Sequence, residues 1–247
     1  MSSLQQYNLK TFTWTDPPQF ELGKLIETSY GHFYKTPDGR KFPSPTTILS
    51  RLSPFEKSPI YPKWVNKLAR IASVPTIEGK SIAKYVSKIA MGNGTTTHSL
   101  IEKYLHNTPE TGIIPNNPWA HLEKIKPLLH NIDNIRACEI PLYSYSMRIA
   151  GTADCIAEYN GELSLIDFKT SEKKKERKSE QMENYFLQAT SYAKMYEELT
   201  GQKIEQFAIL VSCNDGYVQE FLGNPADYGG LWLQKLKQFE EIGGYSQ

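Results

Sequence analysis

Residues 149–171 read IAGTADCIAEYNGELSLIDFKTS, and this stretch decides the fold of the chain. Two strand-like runs flank Asn160-Gly161, the dipeptide most typical of a two-residue type I′ hairpin turn. Such a turn pairs position 159 with position 162, and each further pair lies one step outward on both strands. This register predicts that Asp154 lies directly opposite Asp167, with Cβ atoms roughly 5 Å apart. The two-residue period of a strand puts Lys169 on the same face.

Two carboxylates opposed on neighbouring strands destabilise a hairpin, and the apolar residues around them increase that cost. A bound cation resolves the conflict, because Asp oxygens are hard ligands suited to Mg²⁺ or Mn²⁺. Lys169 then lies where an ammonium can orient water or offset negative charge on phosphorus. The alternative is a surface hairpin with an ordinary Asp–Lys pair, which is common on exposed strands. The apolar flanks favour a site.

Composition indicates an ordinary folded protein. The chain has 247 residues, 39% apolar and 22% charged, with 28 Lys or Arg against 27 Asp or Glu and a formal net charge of +1. A near-neutral total excludes an overall basic field, so nucleic-acid binding requires a local patch. The sequence has no apolar run long enough for a membrane span, and its first residues do not have the pattern of a secretory signal. Three separated cysteines are too few for the thiolates of an iron–sulfur cluster, and we expect a reducing, cytoplasmic compartment.

The pattern of turns and periodic segments predicts one α/β domain, with a mainly helical cap over 1–134 and a catalytic sheet core over 135–247. In the cap we expect an irregular first thirty residues, a hairpin over 31–42 and a helix from Pro45. Gly92-Asn93-Gly94 predicts a break between two helices, 78–91 and 97–107. Further helices are expected over 62–72, 118–132, 181–200 and 225–242, and strands over 135–146, 149–159, 162–169, 204–212 and 217–222.

Four motifs in order carry a resemblance to a known family. They are Phe42-Pro-Ser-Pro-Thr-Thr-Ile-Leu49, Gly94-Thr-Thr-Thr-His98-Ser-Leu-Ile-Glu102, the hairpin with Gly151-x-x-Asp154 and Asp167-x-Lys169-Thr, and Gln188-x-x-x-Tyr192. Together they resemble the RecB-like branch of the PD-(D/E)XK nuclease superfamily, and the first resembles the mitochondrial genome maintenance exonuclease group and its phage relatives. The resemblance implies a restriction-endonuclease-like fold, in which helices flank a mixed central β-sheet.

The resemblance also implies roles for individual residues. Asp154 and Asp167 become metal ligands, joined by the backbone carbonyl of Phe168 and by His98, and Lys169 becomes the catalytic lysine. Further residues that the resemblance places in or near the catalytic site are Glu102, Glu139, Gln188 and Tyr192, the last two also contacting DNA.

Each supporting residue has a plainer alternative. His98 and Glu102 are four apart on one helical face and can reach the same point, but surface His–Glu pairs are common at this spacing. Gln188 and Tyr192 can be ordinary helix packing, although an amide on an apolar face needs a partner. The basic run after the catalytic strand predicts phosphate contacts or simply a solvated loop; its members are Lys173, Lys174, Lys175 and Arg177.

We therefore expect a metal-dependent DNA exonuclease of bacterial or phage type, using one or two Mg²⁺ or Mn²⁺ ions and no iron–sulfur cluster. Single-stranded DNA ends are the expected substrate, in replication, repair or recombination, with no membrane association. Two alternatives stay open: a duplex end-resecting recombination exonuclease of the same superfamily, and a non-catalytic DNA-binding protein with a nuclease fold. The non-catalytic alternative would be indicated by the loss of a metal-binding aspartate or of the lysine, but this chain keeps Asp154, Asp167 and Lys169.

Overall fold

The computed structural model describes residues 10–28, 31–108 and 112–245. Its first element along the chain is a three-stranded antiparallel sheet. Strands β1 (Lys24–Thr28), β2 (Gly31–Lys35) and β3 (Lys41–Pro43) form it, and helix α1 (Pro45–Leu52) follows. The predicted hairpin is β2–β3, and the Ser44 hydroxyl caps α1 by accepting from the amide of Thr47 at 3.1 Å.

The expectation of irregular chain is wrong for 24–28, because β1 pairs along the length of β2. Local propensity does not reveal this pairing, since the hydrogen bonds that stabilise β1 come from a neighbouring strand. Residues 1–9, 29 and 30, to which the same expectation applied, lie outside the described residues.

The predicted break at residues 92–94 is wrong, because one continuous helix α3 (Thr76–Leu105) runs through it. Helix α2 (Ile60–Ile71) precedes α3 after a 3₁₀ turn at 55–57, and α4 (Asn116–Leu129) follows it. The hydroxyls of three consecutive threonines each donate to the carbonyl one turn earlier, across the glycine segment; the pairs are Thr95–Met91, Thr96–Gly92 and Thr97–Asn93. Packing of the flanking turns against α2 on one side and α4 on the other outweighs the cost of about 1 kcal/mol for each helical glycine.

The central sheet has five strands in the order β4 (Ile132–Ser144), β5 (Ile149–Tyr159), β6 (Glu162–Ser171), β7 (Gln206–Cys213) and β8 (Val218–Gly223). Strands β6 and β7 are parallel and the other neighbours are antiparallel, so the sheet is mixed as predicted. The parallel connection runs through helix α5 (Glu180–Thr200), and helix α6 (Pro225–Glu241) ends the fold.

The predicted hairpin register is confirmed. Tyr159 pairs with Glu162 and Cys155 with Ile166, and one step further in this register stand Asp154 and Asp167. Asn160 and Gly161 have φ of 54° and 85°, as a type I′ turn requires.

Two apolar cores cover the two faces of this sheet. Helices α1, α5 and α6 pack on one face, and α3 and α4 pack on the other. Helix α3 also reaches β6, so it connects the N-terminal helices with the sheet. The division into a cap (1–134) and a core (135–247) stays a prediction. Among the described residues, no helix has the length and apolar character that crossing a membrane demands.

Candidate active site

An ion pair on the central strand β6 forms the buried part of the candidate site. Nζ of Lys169 lies 2.5 Å from Oδ2 of Asp167, whose side chain is 1% exposed. Neither oxygen of Asp167 accepts a hydrogen bond of good geometry from the described residues. Burial raises the pKa of Asp167 to about 6, against the opposing effect of Lys169 and with a further increase from Asp154. A carboxylate in this position lacks most of the partners it needs.

Strand β5 brings Asp154 beside this pair. Its Oδ2 accepts a hydrogen bond from the backbone amide of Phe168 at 2.8 Å, which fixes the carboxylate next to β6. The same oxygen lies 3.4 Å from Nδ1 of His98. The hairpin therefore places both predicted aspartates and Lys169 at one point of the sheet, and the amide contact orients Asp154 toward helix α3.

Helix α3 supplies His98 and Glu102, which the glycine-interrupted pattern had assigned to a separate helix. Nδ1 of His98 lies 4.0 Å from a carboxylate oxygen of Glu139. His98, Glu139 and Asp154 each offer one ligand atom, and these three atoms lie within 4.8 Å of one another. An open cleft of about 560 Å³ lies against this group, and Glu102 lines it together with His98 and Glu139.

Glu139 has an unusual backbone within β4. Its φ is 47°, a left-handed conformation that is uncommon for a non-glycine residue and costs on the order of 1–3 kcal/mol. The flanking residues keep regular pairing with β5, Cys138 with Cys155 and Ile140 with Ala153. The strained residue is thus held in place by the ladder on both sides.

The pKa of Glu139 rises to about 8, first through partial burial and then through the carboxylates of Asp154, Glu102 and Asp167. Its side chain is still 39% exposed, on the side of the cleft. Four carboxyl groups therefore repel one another in a small volume, and the nearby Lys169 offsets only part of that repulsion.

Helix α5 covers the other side of the ion pair. Nε2 of Gln188 donates to the Tyr192 hydroxyl at 3.5 Å, and both side chains are buried. Gly151 makes room for the Tyr192 ring, because a Cβ there would lie 2.7 Å from Cε1. The glycine of the Gly-x-x-Asp motif is thus required by close packing against the tyrosine of the downstream motif.

Tyr185 belongs to none of the four sequence motifs, but its ring centroid lies 5.1 Å from Nζ of Lys169. An ammonium at this distance is attracted by the ring quadrupole. The signal was present in the sequence, since Tyr185, Gln188 and Tyr192 recur at helical spacing of three and four residues.

The basic run after β6 is partly engaged with its own chain. Nζ of Lys175 donates to Gln181 at 2.6 Å, and Arg177 donates to the carbonyl of Leu222 at 2.7 Å. Lys174 lies over the ring of Tyr217 at 5.1 Å, and the amide of Lys173 donates to Ser171. Phosphate contact by this run stays a prediction.

The donor set fits a divalent metal ion. His98, Glu139 and Asp154 offer one imidazole nitrogen and carboxylate oxygens, a combination that binds Mn²⁺ and related ions. Oδ1 of Asp167 is buried beside this set without a hydrogen-bond partner among the described residues, as expected for an oxygen that a cation would satisfy. Glu139, predicted only as a possible further acid, is therefore a member of the group, and the carbonyl of Phe168 stays a predicted ligand.

Acidic groups lie around a buried lysine on a mixed sheet, the arrangement that the sequence resemblance implies. The profile of the PD-(D/E)XK nuclease superfamily matches residues 119–243, just over half of the chain, and the chain belongs to that superfamily. The predicted family and fold are thereby confirmed.

Curated relatives agree with this assignment. The chain is 27% identical over 208 residues to mitochondrial genome maintenance exonuclease 1 of Mus musculus, which covers 81% of this chain and 59% of the relative. For the Homo sapiens protein of the same name the identity is 23% over 214 residues, covering 81% and 58%. For the Xenopus tropicalis protein it is 26% over 137 residues, covering 54% and 37%. The chain thus spans less than two thirds of the length of these relatives.

Proposed function

We propose that this nuclease is a metal-dependent exonuclease that hydrolyses single-stranded DNA from its ends. The observation that carries the proposal is the buried, unsatisfied carboxylate of Asp167 beside Lys169 and the His98–Glu139–Asp154 group. The like charges of this combination raise the free energy of the folded state, and the Lys169 ion pair offsets only part of that cost. The combination becomes favourable when a cation and a phosphodiester are present.

The residues that would hold the ion are His98, Glu139, Asp154 and Asp167, and Mg²⁺ or Mn²⁺ suits them. When bound, such an ion supplies positive charge that stabilises the charge developing on the scissile phosphate. Asp154 has a second role that needs no ion, because its hydrogen bond to the Phe168 amide keeps the hairpin strands in register at the site.

Lys169 provides a fixed positive charge at the reacting centre. Burial lowers the pKa of Lys169, but Asp167 and Asp154 raise it by more, which favours the protonated ammonium. A protonated Nζ cannot act as a base, but it can donate hydrogen bonds that orient a water molecule or a phosphate oxygen. Lys169 is therefore an electrostatic catalyst in this proposal.

Attack from strand ends is supported by the names of the relatives, which are exonucleases. The cleft beside His98 and Glu139 has a volume of about 560 Å³, in the range that encloses a ligand of nucleotide size. A flexible single strand can present one phosphate to such a cleft more easily than a stiff duplex. A role in replication, repair or recombination and a cytoplasmic location stay predictions.

The test is digestion of DNA labelled at the 5′ or the 3′ end, as single strand, as duplex and as a circular single strand, with Mg²⁺, Mn²⁺ or EDTA. We expect cleavage of linear single strands that requires metal, and no cleavage of the circle. Asp154→Asn and Lys169→Met should each reduce kcat at least a hundredfold, and the matched control Lys237→Met on α6 should retain full activity.

Three results would contradict the proposal. Cleavage of the circle would show an endonuclease, and exclusive digestion of duplex ends would favour the recombination-type enzyme. Tight DNA binding without any cleavage in either metal would favour the non-catalytic alternative. A parallel arm with single-stranded RNA of the same sequence decides whether the sugar matters.

A further inference from the structure

A second cleft lies against the N-terminal half of α3, far from the acidic group. Its volume is about 470 Å³, and α3 lines it together with α2 and the 3₁₀ turn before α2. Three aromatic rings form one wall: Phe55, Tyr61 and Trp64 have ring centroids 5.5 to 6.2 Å apart. Phe55 is 48% exposed, so this group is accessible from solvent.

The opposite wall of this aromatic cleft is basic. Lys80 and Lys84 line it from α3, and both are exposed, whereas the acidic Glu56 lines the cleft beside Phe55. None of the ion pairs found in 10–28, 31–108 and 112–245 involves a Lys or Arg of residues 55–91. These cations are therefore available to an external anion.

The surrounding segment concentrates the positive charge of the chain. Residues 55–91 contain seven Lys or Arg and two Glu, a formal charge of +5, so the rest of a chain of net +1 carries −4. Part of this charge forms a second group on α2, where Lys63, Lys67 and Arg70 line a small groove. A local basic patch on a near-neutral protein is the electrostatic footprint of phosphate binding.

The aromatic cleft and the acidic site open on the same side of α3. Residues that line the two clefts recur along this helix at intervals of three or four, which places them on one helical face; they are Lys80, Lys84, Ser87, Met91, Thr95, His98 and Glu102. The rise of 1.5 Å per residue separates Lys84 from His98 by about 21 Å. A strand stacked as in B-DNA, with one phosphate per 3.4 Å, covers this distance with about six phosphates, and a more extended single strand needs fewer.

We propose that Phe55, Tyr61, Trp64, Lys80 and Lys84 form a docking site for an unpaired segment of single-stranded nucleic acid, whose end lies at the acidic site no more than about six nucleotides away. Bases stack on the rings without regard to sequence, because every base has a π-face, and the lysines bind the backbone. Duplex DNA buries the faces of its bases within the stack and cannot use the rings. The proposal rests on the proposed function and adds the substrate path to it.

The test measures binding and cleavage separately. Fluorescence anisotropy with labelled oligothymidylate of 4, 8 and 16 nucleotides is run in EDTA, where binding does not depend on cleavage. Trp64→Ala and the more exposed Phe55→Ala should each weaken binding of the 16-mer about fivefold to a hundredfold. Lys80→Gln combined with Lys84→Gln should reduce the slope of log K against log salt by about 1.4, at about 0.7 per phosphate contact.

The matched control is Lys235→Gln combined with Lys237→Gln on α6, the same charge change on the other face of the sheet, and it should leave the slope unchanged. In metal, the loss of kcat/KM in the Lys80/Lys84 variant should be larger for the 16-mer than for the 4-mer. Equal effects of the test and control variants would overturn the docking site, as would equal affinity for duplex of the same length. Binding of the protein to anionic lipid vesicles or to an acidic peptide as tightly as to the oligonucleotide would also overturn the docking site.

The two proposals fail differently. Absence of cleavage in every arm would refute the proposed exonuclease, whatever the binding data show. Normal cleavage, together with an affinity for the oligonucleotide that is unchanged in the Phe55, Trp64 and Lys80/Lys84 variants, would refute the docking site alone.

Discussion

Replacing Lys169 with methionine tests whether the ion pair on β6 is as buried as the structure shows. Asp167 already has a pKa of about 6 in the presence of Lys169, about two units above the ordinary value of 3.8. At about 1.4 kcal/mol per unit, this shift makes the ionised side chain about 3 kcal/mol less favourable in the folded than in the unfolded state. Methionine fills the volume of the lysine stem but removes the ammonium that limits this cost.

The sign of the pH dependence follows from the raised pKa. The folded state binds the Asp167 proton more tightly than the unfolded state, so its contribution to stability is present below about pH 4 and is lost as pH rises through 6. Without Lys169 the pKa rises further, and the loss extends over a wider range. Lys169→Met should therefore lower the free energy of unfolding by up to about 3 kcal/mol at pH 8, where protonation of Asp167 limits the loss, and by much less at pH 5.

Urea denaturation in EDTA at pH 5 and pH 8 measures the effect. The double variant Asp167→Asn with Lys169→Met completes a cycle, and we expect it to recover most of the stability, because an uncharged, well-packed pair replaces an unpaired buried charge. A loss that is equal at both pH values would refute the reasoning, since it would show a packing defect rather than an isolated carboxylate. Full stability of Lys169→Met at pH 8 would show that Asp167 is solvated.

Three further predictions address the metal, the long helix and the turn. Mn²⁺ at a hundred times its dissociation constant should stabilise the native chain by about 2.7 kcal/mol, seen as a higher Tm in calorimetry, and Asp154→Asn should lose this gain. Gly92 lies inside α3 with open space around its Cβ position, so Gly92→Ala should add about 1 kcal/mol and raise Tm by about 2–4 °C; a lower Tm would support the interrupted helix. Gly161 has φ of 85°, so Gly161→Ala should cost about 1–2 kcal/mol by urea denaturation, and no loss would contradict the type I′ turn.

The part of the site that depends on local pairing was predictable from sequence. A two-residue turn fixes the register of the two strands it joins, so Asp154, Asp167 and Lys169 could be placed together from the positions of Asn160 and Gly161. Short-range geometry alone determines this result, and no distant contact alters it.

The unpredicted parts depend on distant contacts. The continuity of α3 through Gly92 and Gly94 is decided by packing against other elements, whereas the sequence shows only the weak local propensity. The approach of Glu139 to His98 requires a left-handed residue inside a strand, and a glutamate gives no sign of this conformation. The strand 24–28 likewise forms because β2 offers a partner.

The position of the acidic group across the sheet has a consequence for its dynamics. Asp167 lies on β6, which has hydrogen-bonded neighbours on both sides, whereas Glu139 lies on β4 at the sheet edge. Local opening events cost least at edges and most in the interior of a ladder. Asp154 and Asp167 therefore lie on interior strands, whereas Glu139 lies on the edge strand, where local opening costs least. We expect amide hydrogen exchange to be faster at Glu139 than at Asp167.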